Sequence, residues 1–174
     1  MNDAFKKPQV ESRYMKQLVC TARTAHFIDI ENLSESSILS EELVREVKRE
    51  YFEMVQPGPC DIFVIGVSHF NLAPASFGWG SGVAQYVVQS GEDGADLALC
   101  KAACDSCLKD RFLRVCIASG DHLLAAVGET LKRKGVIVKY AARQDCVARS
   151  IFVGGSECVL LPSLNSAKEY VLVS

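Results

Sequence analysis

Three aspartates, Asp29, Asp96 and Asp121, are the residues whose types and positions best suggest chemistry in this chain. Asp29 lies near the carboxyl end of the apolar run 26–30, and Asp121 follows the apolar run 112–117. Asp96 falls in the first turn of a predicted helix. If the apolar runs are parallel strands, the three carboxylates share one rim of a sheet, where α/β proteins bind ligands. Carboxylate oxygens suit Mg²⁺ or Mn²⁺.

Each acid also has an explanation that needs no ligand. Asp96 would interact favourably with a helix N-terminus, and Asp121 can cap the helix that follows it. Asp29 interrupts an apolar strand, and a buried acid must be paired or must bind a cation. The common position of all three at one rim is what favours a shared site, because like charges held together without a cation repel and raise their pKa values.

A parallel sheet is needed to bring these acids together, and the hydrophobic pattern predicts one. Apolar, β-branched runs predict strands at 26–30, 61–68, 85–90, 112–117 and 136–141, with a last edge strand at 158–161. Helical spacing predicts helices at 38–55, 95–109 and 123–134, and a short helix within 69–82. Strands that alternate with helices predict an α/β fold with a mainly parallel sheet.

The segments that carry the acids resemble NYN domains, which are PIN-like ribonucleases. The similar segments are Phe-Ile-Asp-Ile-Glu-Asn-Leu at 27–33, Gly-Ala-Asp-Leu-Ala-Leu at 94–99 and Ser-Gly-Asp-His-Leu-Leu at 119–124. The resemblance covers about residues 25–142. It implies a Rossmann-like three-layer sandwich with strand order 3-2-1-4-5.

The resemblance also implies a function, namely metal-dependent RNA cleavage by Asp29, Asp96 and Asp121 with Mg²⁺ or Mn²⁺. Asn32 would support the metal or the phosphate, and Ser119 and His122 would assist at the third segment. Two positions depart from the family pattern. Leu123 and Ala102 stand where the related enzymes often carry further acids.

These departures keep a second reading open, in which the chain is a catalytically degenerate module that binds RNA or a protein. A phosphatase of the haloacid-dehalogenase type fits an acid on the first strand, but it normally has Asp-x-Asp, and residue 31 is Glu. Cys100, Cys104 and Cys107 match the spacing of radical-SAM enzymes. With Leu97 and Leu108, however, they form an apolar helical stripe, and core packing is the favoured reading.

Candidate RNA-binding groups lie in the second half of the chain. Residues 111–149 contain eight bases and three acids, although the whole protein has a net charge of −2. Lys139, Arg143 and Arg149 are predicted to contact the RNA backbone. Trp79 or Phe77, in a glycine-rich loop, could stack on a base.

The remaining bulk properties indicate one domain. Residues 25–162 are assigned to it, with an N-terminal extension or helix at 1–24 and a C-terminal tail at 163–174. The chain shows no signal-peptide pattern and no apolar run of membrane-spanning length. With eight cysteines, it is expected to be a cytoplasmic protein with reduced thiols. A homodimer is a possible assembly.

Overall fold

A six-stranded, all-parallel sheet forms the centre of the protein. The computed structural model describes residues 23–91, 93–105, 112–153 and 155–164. The strands are β1 (Thr24–Asp29), β2 (Ile62–Val67), β3 (Val83–Val88), β4 (Arg114–Ala118), β5 (Ile137–Arg143) and β6 (Glu157–Leu161). Their order is β3-β2-β1-β4-β5-β6. The predicted Rossmann-like α/β fold is therefore confirmed, and β6 extends the expected 3-2-1-4-5 order by one parallel edge strand.

Within the described residues, six α-helices connect or flank these strands. They are α1 (Ile30–Leu33), α2 (Glu41–Val55), α3 (Leu72–Trp79), α4 (Gly94–Asp105), α5 (His122–Arg133) and α6 (Arg149–Val153), and a 3-10 turn spans Gln144–Cys146. Helix α2 begins at Glu41, three residues after its predicted start at 38, because the Ser40 side chain caps it by accepting a hydrogen bond from the backbone N–H of Leu43 at 3.1 Å. Strand β3 lies two residues before its predicted position.

The sheet is covered on both faces, as its near-continuous apolar strands require. On one face, α2 and α3 pack residues such as Val44, Tyr51 and Trp79 into one buried cluster. On the other face, α4 and α5 bury residues such as Leu99 and Leu124. This arrangement is the expected three-layer sandwich.

The chain changes direction between β1 and β4. It runs outward from β1 to β2 and β3, and then returns to place β4 on the other side of β1. Open α/β sheets bind ligands beyond the carboxyl ends of the strands at such a switch point. Asp29 is the last residue of β1, and Ser119, Gly120 and Asp121 follow β4, so both motifs lie at this position.

Two packing predictions are wrong. On α4 the buried residues are Gly94, Leu99 and Ala103. Cys100 is partly buried against the core, but Leu97 and Cys104 are exposed, so the described part of the cysteine stripe is not the main core face. Trp79 is only 1% exposed and packs against Tyr51, Phe52 and Phe63, and it therefore cannot stack on a bound base.

Some sequence-based predictions fall outside the described residues. They concern most of the proposed N-terminal extension at 1–22, most of the tail at 165–174, and Cys107 and Leu108. Within the described ranges, no helix is both long enough and apolar enough to cross a membrane.

Candidate functional site

Asp29 is the buried centre of the candidate site. The residue is 4% exposed and caps α1, because its Oδ1 accepts a hydrogen bond from the backbone N–H of Asn32 at 3.1 Å. Its Oδ2 accepts a hydrogen bond from Ser119 Oγ at 3.0 Å. The carboxyl group is thus held by one donor from its own strand end and one from the end of β4.

Asp96 approaches Asp29 from the first turn of α4. Burial raises the pKa of Asp29 well above its ordinary value, and the charge of Asp96 and a hydrogen bond between the two carboxyl groups raise it further. Burial also raises the pKa of Asp96; the hydrogen bond with Asp29 opposes this shift, and the nearby charges of Asp121, Asp93 and Glu31 add to it. Two carboxyl groups in this contact share a proton more readily than they both ionise.

Gly66 makes this approach possible. It is the β2 residue paired with Asp29 across the sheet. A Cβ at this position would lie 3.2 Å from Leu99 Cβ and 3.3 Å from the carbonyl oxygen of Ala95. A side chain at this position would therefore require Leu99 and the Ala95 carbonyl group to shift by a few tenths of an ångström, and Ala95 directly precedes Asp96 in the first turn of α4.

The loop after β4 is fastened to the end of β1. The backbone N–H of Gly120 donates to Asn32 Oδ1 at 3.0 Å, and the backbone N–H of Asp121 donates to Ser119 Oγ at 3.1 Å. The predicted supporting residues Asn32 and Ser119 therefore lie at the site, where they join the two strand ends. Whether either contacts a metal or a phosphate stays a prediction.

Asp121 lies near Asp96 but is turned toward its own helix. Its Oδ1 accepts a hydrogen bond from the backbone N–H of Leu123 at 2.6 Å, so it caps α5 as a structural aspartate would. Its Oδ2 lies 3.2 Å from Nδ1 of His122, whose side chain is exposed. The charge of Asp121 still acts on Asp96.

An acidic pocket of about 200 Å³ opens beside Asp29 and Asp96. Glu31, Asp93 and Ser68 also line it. Glu31 Oε1 accepts hydrogen bonds from Ser68 Oγ and from Asn71 Nδ2, both at 2.5 Å. The sequence did not predict that Ser68 and Asn71 belong to the site. Ser68 directly follows the apolar run of β2, so the rule that identified Asp121 could have found it.

The three predicted RNA-binding bases are separated by the fold. Arg143 is fully buried, and its guanidinium donates to Leu33 O at 2.7 Å and to Glu50 Oε2 and Pro162 O at 2.5 Å. The expectation that Arg143 contacts RNA is therefore wrong, because a buried guanidinium with these partners cannot reach a phosphate.

Lys139 and Arg149 remain accessible in different places. Lys139 lies in the middle of β5, paired with Glu157 at 2.7 Å and beside Cys116, and is not at the rim. Arg149 is exposed, and the preceding residue, Ala148, donates its backbone N–H to Gly120 O at 2.9 Å. Of the three bases, Arg149 is thus the one close to the loop that carries Asp121.

Ala102 and Leu123, the two departures from the family pattern, both lie on helices next to the site. Ala102 is partly buried against the core beneath α4, and Leu123 is in the first turn of α5. In the described parts of the chain, no three or more His, Cys, Asp or Glu side chains are arranged to hold a metal ion. Asp29 and Asp96 are in contact, while Asp121 points to its cap.

Comparisons with protein-family models, with curated proteins and with solved structures find no significant match to this chain. The resemblance to NYN domains therefore rests on the three short segments alone and stays a prediction.

Proposed function

We propose that this protein is a metal-dependent ribonuclease that acts at the rim where β1 and β4 end. The observation that carries the proposal is that the buried Asp29 carboxyl group and Asp96 line the same acidic pocket, where each affects the pKa of the other. Two acids raised in pKa beside an acidic pocket form an electrostatically costly arrangement that a divalent cation would relieve. An all-oxygen donor set of this kind fits Mg²⁺ or Mn²⁺.

Asp29, Asp96 and Asp121 are the residues that would hold the cation. The chemistry that a bound Mg²⁺ or Mn²⁺ supplies is neutralisation of phosphate charge and a lower pKa for water. Ser119 and the backbone of Asn32 keep the Asp29 carboxyl group in place, which limits the reorganisation needed on binding. Asp121 must exchange its cap hydrogen bond for a ligand role. Arg149 is placed to contact an RNA phosphate near this loop.

The test is cleavage of single-stranded and structured RNA in the presence of Mn²⁺ and then of EDTA. Asp29→Asn, Asp96→Asn and Asp121→Asn should each lose most of the activity. Glu53→Gln is the matched control, because Glu53 is an exposed acid on α2. Equal activity in the wild type and all three variants would indicate a contaminating nuclease and would refute the proposal.

A second function is favoured by the position of Asp121. Its carboxylate is engaged by the α5 backbone, and Leu123 and Ala102 add no acids, as expected of a catalytically degenerate module that binds RNA or a protein. Calorimetric titration with Mn²⁺ separates the two proposals. A ribonuclease should release heat that Asp96→Asn abolishes, whereas a degenerate module should bind the ion weakly or not at all.

An RNA partner and a cytoplasmic location belong to the same proposal, and a homodimer is kept as its possible assembly. They rest on the sequence, and size-exclusion chromatography with light scattering tests the assembly directly.

A further inference from the structure

Phe70 is a large apolar residue that the fold leaves at the rim of the sheet. It is 76% exposed and lies in the turn between β2 and α3. The residues before and after it are fixed to the acidic pocket. Ser68 donates through both its backbone N–H (3.2 Å) and its hydroxyl (2.5 Å) to Glu31 Oε1, and Asn71 Nδ2 donates to the same oxygen. The backbone of Phe70 is therefore held at the edge of that pocket.

Asn71 fixes the position further because it is fully buried and uses its whole amide. Besides Glu31, it donates to Ser37 O at 2.9 Å and accepts from the backbone N–H of Leu39 at 3.0 Å. This clamp brings the loop that contains Ile38, which is 68% exposed, next to the turn that contains Phe70. An exposed ring and an exposed aliphatic side chain thus flank one buried amide beside the pocket.

We infer that Phe70 is a base-stacking residue and that the substrate of the proposed site is single-stranded nucleic acid. The inference rests on the proposed function, since the carboxylate pocket is where the phosphodiester would bind. Every base presents a flat face to an aromatic ring, whereas bases inside a duplex are covered by their neighbours. An exposed ring whose backbone is held at the rim can therefore select an unpaired nucleotide next to the scissile bond.

The size of the surface favours a base over a protein partner. A stable protein interface buries about 800 Å² on each side, whereas one phenylalanine and one isoleucine offer a much smaller area. A stacked base needs only a single ring. Stacking contributes about 1–3 kcal/mol per base, which corresponds to roughly a five- to 150-fold change in Kd.

Phe77, which the sequence suggested as a stacking residue, is the competing candidate and serves as the comparison variant. It is 70% exposed and lies on α3 five residues after the first helical residue, Leu72, so it is about 8 Å further along the helix axis than the end of the helix that follows the Phe70 turn. Binding of a fluorescein-labelled RNA of about 12 nucleotides would be measured by anisotropy in Ca²⁺, with Mg²⁺ and Mn²⁺ left out. The same measurement would use single-stranded DNA, duplex RNA and an abasic strand.

Phe70→Leu should raise the Kd for single-stranded RNA and for single-stranded DNA at least five-fold. Phe70→Trp should bind both as tightly as the wild type or more tightly. Phe77→Leu should change Kd less than two-fold, and duplex and abasic binding should not respond to Phe70. Equal effects of Phe70→Leu and Phe77→Leu, or duplex binding as tight as that of the single strand, would overturn the inference. The inference would also be overturned if Phe70→Leu weakened binding of a protein partner and left the binding of nucleic acid unchanged.

The two proposals fail separately. Phe70-dependent binding of single strands without any cleavage would leave the stacking role standing and refute the ribonuclease. Asp29- and Asp96-dependent cleavage that is unchanged in Phe70→Leu would do the reverse.

Discussion

Replacing Asp29 with asparagine should stabilise the metal-free protein while it removes the proposed metal-dependent activity. The expected gain follows from the contacts of the side chain. An asparagine can keep the cap bond with its Oδ1, which would accept from the Asn32 N–H. Its Nδ2 can donate to Ser119 Oγ, which is 3.0 Å from the present Oδ2, and it faces Asp96. The substitution therefore removes the charge and keeps the cap bond, while the Ser119 hydroxyl, which donates to Asp29 in the wild type, must give up that acceptor.

The magnitude comes from the repulsion that disappears. Two unit charges about 4 Å apart repel by about 4 kcal/mol at an effective dielectric constant of 20. Because the two carboxyl groups already share a hydrogen bond, part of this repulsion is relieved by a proton. We therefore expect a gain of about 1–3 kcal/mol near pH 7.5, which is about 3–9 °C in Tm for a chain of this size.

The pH dependence has a defined sign. The pKa of Asp29 is raised by burial and by Asp96, so its folded-state value exceeds the unfolded value of 3.8. Protonation of Asp29 therefore favours the folded state, and the wild type loses stability as pH rises from 3.8 through the folded-state pKa. The advantage of Asp29→Asn should thus be largest at neutral pH and should vanish near pH 4.

Thermal unfolding followed by circular dichroism in EDTA, at pH 4 and pH 7.5, measures both effects. Asp29→Ala is the control, because it removes the same charge but also loses the helix cap, and it should be about 1 kcal/mol or more less stable than Asp29→Asn. In Mn²⁺ at about 100 times its Kd the wild type should gain about 2.7 kcal/mol, and Asp29→Asn should gain much less. A Tm of Asp29→Asn as low as that of Asp29→Ala would show that the carboxylate stabilises the site, and the electrostatic reasoning would be refuted.

Three further predictions concern the structure around the site. Glu50→Gln should lower the free energy of unfolding in urea by about 2–4 kcal/mol, because it leaves the buried Arg143 guanidinium without its carboxylate; a loss below about 0.5 kcal/mol would contradict this. Gly120→Ala should cost about 1–3 kcal/mol, since a Cβ there would lie 1.9 Å from Cys146 O, and an unchanged Tm would be the contrary result. Burial lowers the pKa of His26, against the opposing effect of Asp61, so its contribution to stability is complete above pH 6.5 and falls as pH drops below 6.5. His26→Gln should flatten that slope between pH 7 and pH 5 in urea titrations, and an identical slope would exclude His26 as its source.

The fold was predictable because its signals are local. Apolar runs such as 61–68 identify strands without knowledge of their neighbours, and Ser40 marks the start of α2 by capping its own helix. The alternation of these elements then leaves few arrangements of the sheet. The buried face of α4 was predicted incorrectly, because many of its side chains are small and the helix is weakly amphipathic. Its alanines and cysteines fit several phases equally well, and the contact with Gly66 decides which face is buried.

Side-chain roles were less predictable, because the partners are distant in the sequence. Arg143 was predicted to be a surface base, yet it is buried and paired with Glu50, which is 93 residues away along the chain. Trp79 stood in a glycine-rich segment typical of a flexible loop, but Gly78 allows that segment to pack closely on α2, where a Cβ would lie 2.6 Å from Glu41 O. The sequence predicted that Asp29 and Asp96 share one rim of the sheet, but not that the two side chains lie together. Their proximity depends on the close packing of α4 on Gly66, which has no side chain.

Asp121 decides between an active and a degenerate site, and its helix cap is weak evidence against activity. Loss of an aspartate cap costs about 1 kcal/mol, which would weaken cation binding only about five-fold. The Asp121 carboxylate already repels Asp96, and a shared cation would relieve that repulsion by an amount comparable to the cost of losing the cap. Asp121→Asn keeps the cap and removes the charge, so it isolates the ligand role. If this variant retains the cap but loses Mn²⁺ binding, the carboxylate serves the site, and if Mn²⁺ binding is unchanged, Asp121 is only the cap of α5.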